Sequence, residues 1–182
     1  MNVLVVYESS YGNTHLIADA IGEGLGAEHD VTLVSVGKVN KVLVDPLDLI
    51  VVGGPTHAHG MSRSATRAQA ADAAHQPGSS LVLDADAVGP GLREWFDALP
   101  PGTAFGAAFD TRVDASALLT GRASKGISKQ LRRHGFREIA EPMSFLVTKE
   151  TKLVVGQQDA ARQWGELLAA RLTQEANTSP AR

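Results

Sequence analysis

The residues with the clearest chemical potential lie in the segment 9–14, Ser-Ser-Tyr-Gly-Asn-Thr, which carries four hydroxyl side chains. Hydroxyl and backbone N–H groups donate hydrogen bonds to phosphate oxygens, and the first turn of a helix adds partial positive charge. Gly12 allows the backbone to turn tightly and to approach an anion. The segment therefore predicts a phosphate-binding loop without lysine or arginine. A polar turn between a strand and a helix, with no ligand, remains the alternative.

Two better-known phosphate loops do not fit this segment. The P-loop requires Gly-Lys-Ser or Gly-Lys-Thr, and no lysine stands in residues 9–14. The dinucleotide fingerprint requires three spaced glycines, whereas Gly12 stands alone here. Nucleotide binding of either kind is thus excluded for this loop.

The elements on both sides of the loop should position it. An apolar, β-branched run at 3–6 predicts a buried strand before it, and apolar residues at helical spacing predict a helix over 13–26 after it. Similar patterns predict four more strands and four more helices, the strands at 31–36, 47–52, 105–109 and 145–147 and the helices at 62–75, 91–99, 122–134 and 158–175. The alternation predicts an α/β fold, a parallel sheet with helices on both faces.

The domain is expected to span residues 1–175, with a disordered polar tail at 176–182. Pro142 predicts a bend or an edge position before the fifth strand, because proline cannot donate a ladder hydrogen bond. The segment 81–83, Leu-Val-Leu, could be a short extra strand or packed coil, and the pattern does not decide between them.

Two further loops should meet the first one. Residues 53–60, Gly-Gly-Pro-Thr-His-Ala-His-Gly, follow the third predicted strand, and Asp110, Thr111 and Arg112 follow the fourth. In an open α/β sheet, ligands bind beyond the carboxyl ends of the strands, where the strand order reverses. The three loops are therefore predicted to form one binding site.

The histidines and arginines near these loops could in principle bind a metal ion or an anion. His57 and His59 could place two imidazoles on one side of a loop, but no third ligand follows at a fixed spacing, so no metal site is predicted. Arg63 and Arg67 would share one helix face. A solvated face is the preferred interpretation for this pair, and a clamp for an anionic partner is the alternative.

The composition of the chain excludes several kinds of site and argues against some functions. With 182 residues and 43% apolar content, one domain with a sizeable core is expected. The absence of cysteine excludes disulfides, thiolate nucleophiles and cysteine metal sites. The net charge of −3, without long charge runs, argues against nucleic-acid binding. No segment predicts a membrane span or a signal peptide, so a cytoplasmic location is expected.

At these loops the chain resembles the flavodoxin-like family. Residues 9–14 resemble its hydroxyl-rich FMN phosphate loop, residues 53–60 its ring-covering loop, and 110–112 the loop on the other side of the ring. The resemblance covers about residues 1–175. It implies one doubly wound domain with a five-stranded parallel sheet in the order 2-1-3-4-5, and FMN as the cofactor.

The resemblance also implies which residues would bind FMN. The phosphate would contact the first loop, and the ring and ribityl chain would contact the other two, giving the set Ser9, Ser10, Tyr11, Gly12, Asn13, Thr14, Pro55, Thr56, His57, Ala58, Asp110, Thr111 and Arg112.

The chain departs from the electron carriers of that family at the ring-covering loops. Carriers usually stack aromatic side chains on the ring, whereas His57 stands where their tryptophan is expected. Ala58 stands where carriers usually have a glycine whose peptide can flip, and alanine tolerates positive φ poorly. Carriers are also usually acidic, whereas this chain has His57, His59 and Arg112 near the expected site, which favours positive charge there. These differences favour two-electron flavin chemistry over one-electron transfer.

Three functions therefore remain. The preferred one is an FMN-binding redox protein acting as an oxidoreductase through two-electron chemistry, which the flavin would supply. The alternatives are a one-electron carrier that needs a reductase and an acceptor, and a flavin-free binding or regulatory module. The sequence indicates neither the electron donor or acceptor nor the oligomeric state.

Overall fold

A computed structural model describes residues 1–39 and 46–178. The six helices in this part of the chain are α1 (Asn13–Gly26), α2 (Ser64–His75), α3 (Leu92–Ala98), α4 (Ala117–Thr120), α5 (Ala123–Arg133) and α6 (Gln157–Thr178). The seven strands are β1 (Asn2–Tyr7), β2 (Asp30–Ser35), β3 (Leu49–His57), β4 (Gly60–Met61), β5 (Phe105–Val113), β6 (Arg137–Glu138) and β7 (Met143–Val147).

The predicted α/β fold is confirmed, with one correction to the sheet. The strands follow the order β2-β1-β3-β5-β6, and β7 also pairs with β5. Every pairing is parallel except the short antiparallel pair of β3 and β4. The order 2-1-3-4-5 is therefore retained, but the sheet has seven strands instead of five.

The fifth position of the sheet is divided between two short strands. β6 pairs with Phe105 and Gly106 at the start of β5, and β7 pairs with residues 109–113 at its end. Pro142 lies between β6 and β7. Because proline has no N–H to donate, the interruption of the ladder falls where the sequence predicted a bend.

Helices cover both faces of the sheet. On one face α1 and α6 pack over a core that includes Phe109, Phe145 and Trp164, and on the other α3 and α5 pack over a second core. The crossing of α1 and α6 is very close, since a Cβ on Gly24 would lie 2.2 Å from the carbonyl oxygen of Arg162. A glycine at this position therefore lets the last helix reach the sheet.

Two further details differ from the sequence expectations. Residues 81–83 form neither helix nor strand, so the segment is coil, and its Val82 is exposed. α6 continues to Thr178, past the expected start of the tail at 176, and residues 179–182 lie outside the described part. No helix among the described residues is long and apolar enough to cross a membrane.

Candidate cofactor site

The ends of β1, β3, β5 and β7 surround a cleft of about 170 Å³ at the carboxyl edge of the sheet. Ten of the thirteen predicted site residues line it, namely Ser9, Ser10, Tyr11, Asn13, Thr14, Pro55, Thr56, His57, Thr111 and Arg112. Gly12, Ala58 and Asp110 are not among the lining residues. Three lining residues were not predicted, Val113, Val147 and Thr151.

The first loop forms an open set of backbone donors. Gly12 is the N-cap of α1 with φ +85°, and its N–H donates to Ser9 Oγ at 3.0 Å. The N–H groups of Tyr11, Asn13 and Thr14 have no acceptor within the described part of the chain. Three N–H groups at the positive end of a helix therefore remain available to an anion.

Two side chains predicted to bind phosphate contact protein atoms. The Tyr11 hydroxyl donates to the carbonyl oxygen of Ala70 at 2.8 Å, and Asn13 Nδ2 donates to that of Thr151 at 2.9 Å. These bonds tie the loop to α2 and to the segment after β7. The side chains of Tyr11 and Asn13 thus hold the loop in place by bonds to protein atoms.

A buried pair of hydroxyls links the first loop to β5. Thr14 Oγ1 and Thr111 Oγ1 are 2.7 Å apart, and both residues are buried. One hydroxyl donates to the other, so the second keeps its proton for another acceptor. The pair joins the start of α1 to β5, and both residues line the cleft.

A contact that the sequence did not indicate supports the back of the first loop. The N–H of Asp84 donates to the carbonyl oxygen of Ser10 at 2.9 Å. The Asp84 carboxylate lies 3.3 Å from Nδ1 of His15, whose ring stacks on Tyr7 at 4.4 Å. Burial, together with the charge of Asp84, raises the pKa of Tyr7. Asp84 lies 70 residues beyond the loop in a coil, so no local pattern predicts it.

The second wall of the cleft is strand, where a loop was predicted. β3 continues through Pro55 and Thr56 to His57, because Gly54 and Pro55 pair with Asp110 and Thr111 of β5. His57 is half-buried, and its pKa is lowered by burial and by the charge of Arg67, against the opposing effect of Glu8. The His57 imidazole is therefore mostly neutral at pH 7, which corrects the expectation of a positive charge there.

The turn between β3 and β4 contains two non-glycine residues with positive φ. Ala58 has φ +43° and His59 has φ +73°, and His57 pairs with Gly60 across them. Alanine tolerates positive φ poorly, and the two-residue hairpin turn imposes this conformation on Ala58. The left-handed conformation costs roughly 1–2 kcal/mol per residue. Ala58 is exposed at the tip of the turn.

The third predicted loop also belongs to a strand, since β5 includes Asp110, Thr111 and Arg112. Asp110 is fully buried, and its Oδ2 accepts the N–H of Ser124 in α5 at 2.7 Å. The prediction that Asp110 borders the ligand is therefore not supported by its position. Thr111 lines the cleft, whereas Asp110 accepts a backbone N–H in the first turn of α5.

Arg112 lines the cleft and anchors the segment after β5. Its Nη1 donates to the carbonyl oxygens of Val113 at 3.3 Å and of Ala115 at 2.6 Å. The thirteen lining residues include no aspartate or glutamate. Arg112 is consequently the fixed charge in the cleft wall.

A buried carboxylate connects the elements behind His57. Glu8 accepts hydrogen bonds from the Ser62 hydroxyl and, at 2.8 Å, from the N–H of Leu92 at the start of α3. Arg67 donates to Ser62 Oγ at 3.1 Å and to Glu94 Oε1 at 3.0 Å. Arg67 is thus engaged inside the protein, which disfavours the alternative of an anion clamp with Arg63.

The two loop histidines have different surroundings. His57 is half-buried at the cleft, whereas His59 is exposed. Within residues 1–39 and 46–178, no group of three or more histidine, aspartate or glutamate side chains could bind a metal ion.

The sequence matches the flavodoxin domain family over residues 4–67, which include the first loop and the β3–β4 turn. A comparison with curated proteins finds no significant match.

Solved structures resemble the chain over nearly its whole length. A flavodoxin from the domain Archaea is 21% identical, with a TM-score of 0.61, covering 95% of this chain and 99% of that one. A WrbA-like flavodoxin from Agrobacterium tumefaciens is 23% identical, with a TM-score of 0.57 and coverage of 95% and 98%. Oxidised flavodoxin 1 from Bacillus cereus is 15% identical, with a TM-score of 0.59 and coverage of 96% and 98%. The chain therefore has a flavodoxin-like fold, and its residues 4–67 match the flavodoxin domain family.

Proposed function

We propose that the protein binds FMN in the cleft and functions as an oxidoreductase. The observation that carries this proposal is the first loop, where three N–H groups with no acceptor among the described residues lie near the hydroxyls of Ser9 and Ser10. Such a set of neutral donors at a helix N-terminus suits a phosphate group. The likeness to proteins named flavodoxins supports FMN as the molecule that carries it.

The remaining cleft residues suit a flat ring. Pro55, His57, Val113 and Val147 are among the lining residues, so part of the lining is apolar or neutral. The flavin supplies the redox chemistry when bound, and the protein contributes binding, orientation and electrostatics. Thr56 links this part of β3 to the start of α5, because its Oγ1 accepts the N–H of Ala123 at 2.9 Å.

A titration of the apoprotein with FMN, riboflavin and FAD tests the cofactor. We expect FMN to bind at least tenfold more tightly than riboflavin, since only FMN offers a phosphate to the first loop; tenfold corresponds to about 1.4 kcal/mol. Flavin fluorescence measures the affinities. Equal affinities for FMN and riboflavin would contradict the phosphate site. Binding of none of the three would favour the flavin-free module.

The charge around the cleft supports the two-electron form of the function. Arg112 is in the cleft wall, and no carboxylate lines it. The buried carboxylates of Glu8 and Asp110 are turned to N–H groups of α3 and α5. A net positive surrounding stabilises the fully reduced, anionic flavin relative to less negative forms, so the second electron should enter easily.

Stepwise reduction of the FMN-loaded protein checks this expectation. Absorbance should show little one-electron-reduced flavin at the midpoint, and Arg112→Gln should lower the second reduction potential by tens of millivolts. A 1.4 kcal/mol loss corresponds to about 59 mV for one electron. Arg63→Gln is the matched control, because Arg63 is exposed and does not line the cleft. Nearly complete one-electron reduction at the midpoint would instead assign the protein to the one-electron carriers.

A further inference from the structure

An exposed pair of leucines lies beside the cleft. α4 consists of one turn, and its Leu118 and Leu119 are 93% and 73% exposed. Val113, which lines the cleft and is itself partly exposed, lies at the start of the same segment. Single exposed apolar residues are common, but adjacent ones at the edge of a functional cleft are typical of a contact surface.

The structure fixes the position of these leucines. The backbone of α4 is capped by Ser116, whose Oγ accepts the N–H of Leu118 at 3.4 Å. Arg112 bonds the carbonyl oxygens just before the helix, and Gly121 just after it forms a bridge with His59. A segment anchored at both ends presents its apolar side chains with little loss of freedom on binding.

The next helix adds a basic face. Lys125, Lys129, Arg132 and Arg133 are exposed on α5 at spacings of three and four residues. Arg132 pairs with Glu138, whereas Lys125, Lys129 and Arg133 have no carboxylate partner within the described residues. The chain as a whole carries a net charge of −3, so positive charge is concentrated on this face.

A lysine at position 125 does not stabilise α5. It lies in the first turn of α5, where a positive charge opposes the helix dipole and acidic residues are favoured. The first turn contains no acidic residue. Arg132 and Arg133 in the last turn do suit the dipole, so Lys125 is the residue that indicates an external partner.

We propose that α4 and the basic face of α5 form a docking surface for an acidic electron-transfer protein, placed beside the cleft that would contain the flavin. The leucines would supply the apolar contact, and the lysines would attract the partner and orient it. The electron-transfer role rests on the proposed function, whereas the docking itself does not. Two one-electron donors would reduce one flavin, each being oxidised by one electron, and one proton taken from water would give the anionic reduced form.

A reduced plant-type [2Fe–2S] ferredoxin, which is strongly acidic, serves as the probe. Stopped-flow absorbance follows its oxidation by the FMN-loaded protein. We expect the double variant Lys125→Glu with Lys129→Glu to lower the second-order rate constant at low salt at least tenfold. We expect Leu118→Ser with Leu119→Ser to lower it at least threefold. The wild-type rate should fall as salt rises, because the attraction between opposite charges is screened.

Two control variants match these changes elsewhere on the surface. Arg63→Glu with Arg171→Glu alters the net charge equally, and Val82→Ser with Val88→Ser removes exposed apolar side chains at another site. Both should stay within twofold of wild type. If the charge control lowers the rate as much as the lysine variant, only net charge matters and the proposal is wrong.

Fluorescence anisotropy of labelled ferredoxin with the apoprotein tests docking without flavin. Binding that the lysine and leucine variants weaken supports the surface even if FMN does not bind. Absence of binding, or unchanged binding by both variants, would overturn it. Co-sedimentation with phosphatidylserine vesicles, lost in the same variants, would assign the surface to lipid and also overturn the proposal.

Discussion

Gly12→Asp is expected to abolish FMN binding at micromolar concentrations. Gly12, at the N-terminus of α1, stands between Tyr11 and Asn13, whose N–H groups have no acceptor in residues 1–39 and 46–178. An aspartate there would set a carboxylate against the phosphate. At an effective dielectric constant near 20, two unit charges about 4 Å apart repel by roughly 4 kcal/mol, an upper guide. That energy corresponds to about a thousandfold loss of affinity, measured by flavin fluorescence.

Gly12→Asn is the matched control for this prediction. Asparagine has the size of aspartate without its charge, and it tolerates the left-handed conformation that φ +85° requires. A Cβ at Gly12 would meet no atom within 4 Å, so the free protein has room for either side chain. We expect the asparagine variant to retain affinity within about tenfold of wild type, or 1.4 kcal/mol. If the Gly12→Asp variant binds FMN as tightly as the Gly12→Asn variant does, the phosphate lies elsewhere.

The sequence predicted the fold well because its strongest signals are local. An apolar run such as 3–6, followed by helical spacing over 13–26, indicates a strand and a helix without knowledge of the rest of the chain. The division of the fifth strand into β6 and β7 depends on which part of β5 each of them pairs with. That register is a long-range property, and only Pro142 gave a local indication of it.

The site was predicted less completely, for two physical reasons. The residue at which a strand ends depends on the strands beside it. Pairing of Pro55 with Thr111 continues both β3 and β5, so residues that were predicted as loops belong to strands. In addition, a strand that is buried on both faces has no alternation of apolar and polar residues, so its sequence does not show which side chains share a face. The burial of Asp110 under α5, and the place of Val147 in the cleft, could not be read from the sequence.

Glu8 joins the first loop to the parts of the chain that follow β4, and its removal should lower the stability of the protein. We expect Glu8→Ala to lower the free energy of unfolding by about 3 kcal/mol, because the Ser62 hydroxyl and the Leu92 N–H lose a charged acceptor in a buried place. Hydrogen bonds to charged groups contribute roughly 1.5–3 kcal/mol each, and water entering the vacated space would offset part of the loss. Urea denaturation of the apoprotein measures the change.

Glu8→Gln is the matched control, since glutamine keeps the shape and one acceptor oxygen but not the charge. We expect it to cost about 1–2 kcal/mol, less than alanine. It should also lower the pKa of His57 further. In the wild type the negative charge of Glu8 raises this pKa, against the lowering caused by burial and by Arg67. Proton NMR of the His57 ring gives this pKa directly. An unchanged His57 pKa, or an alanine variant as stable as wild type, would show that Glu8 does not connect the two sides of the site. The expected pair of results would instead show one buried carboxylate supporting the phosphate loop and setting the charge of the cleft wall.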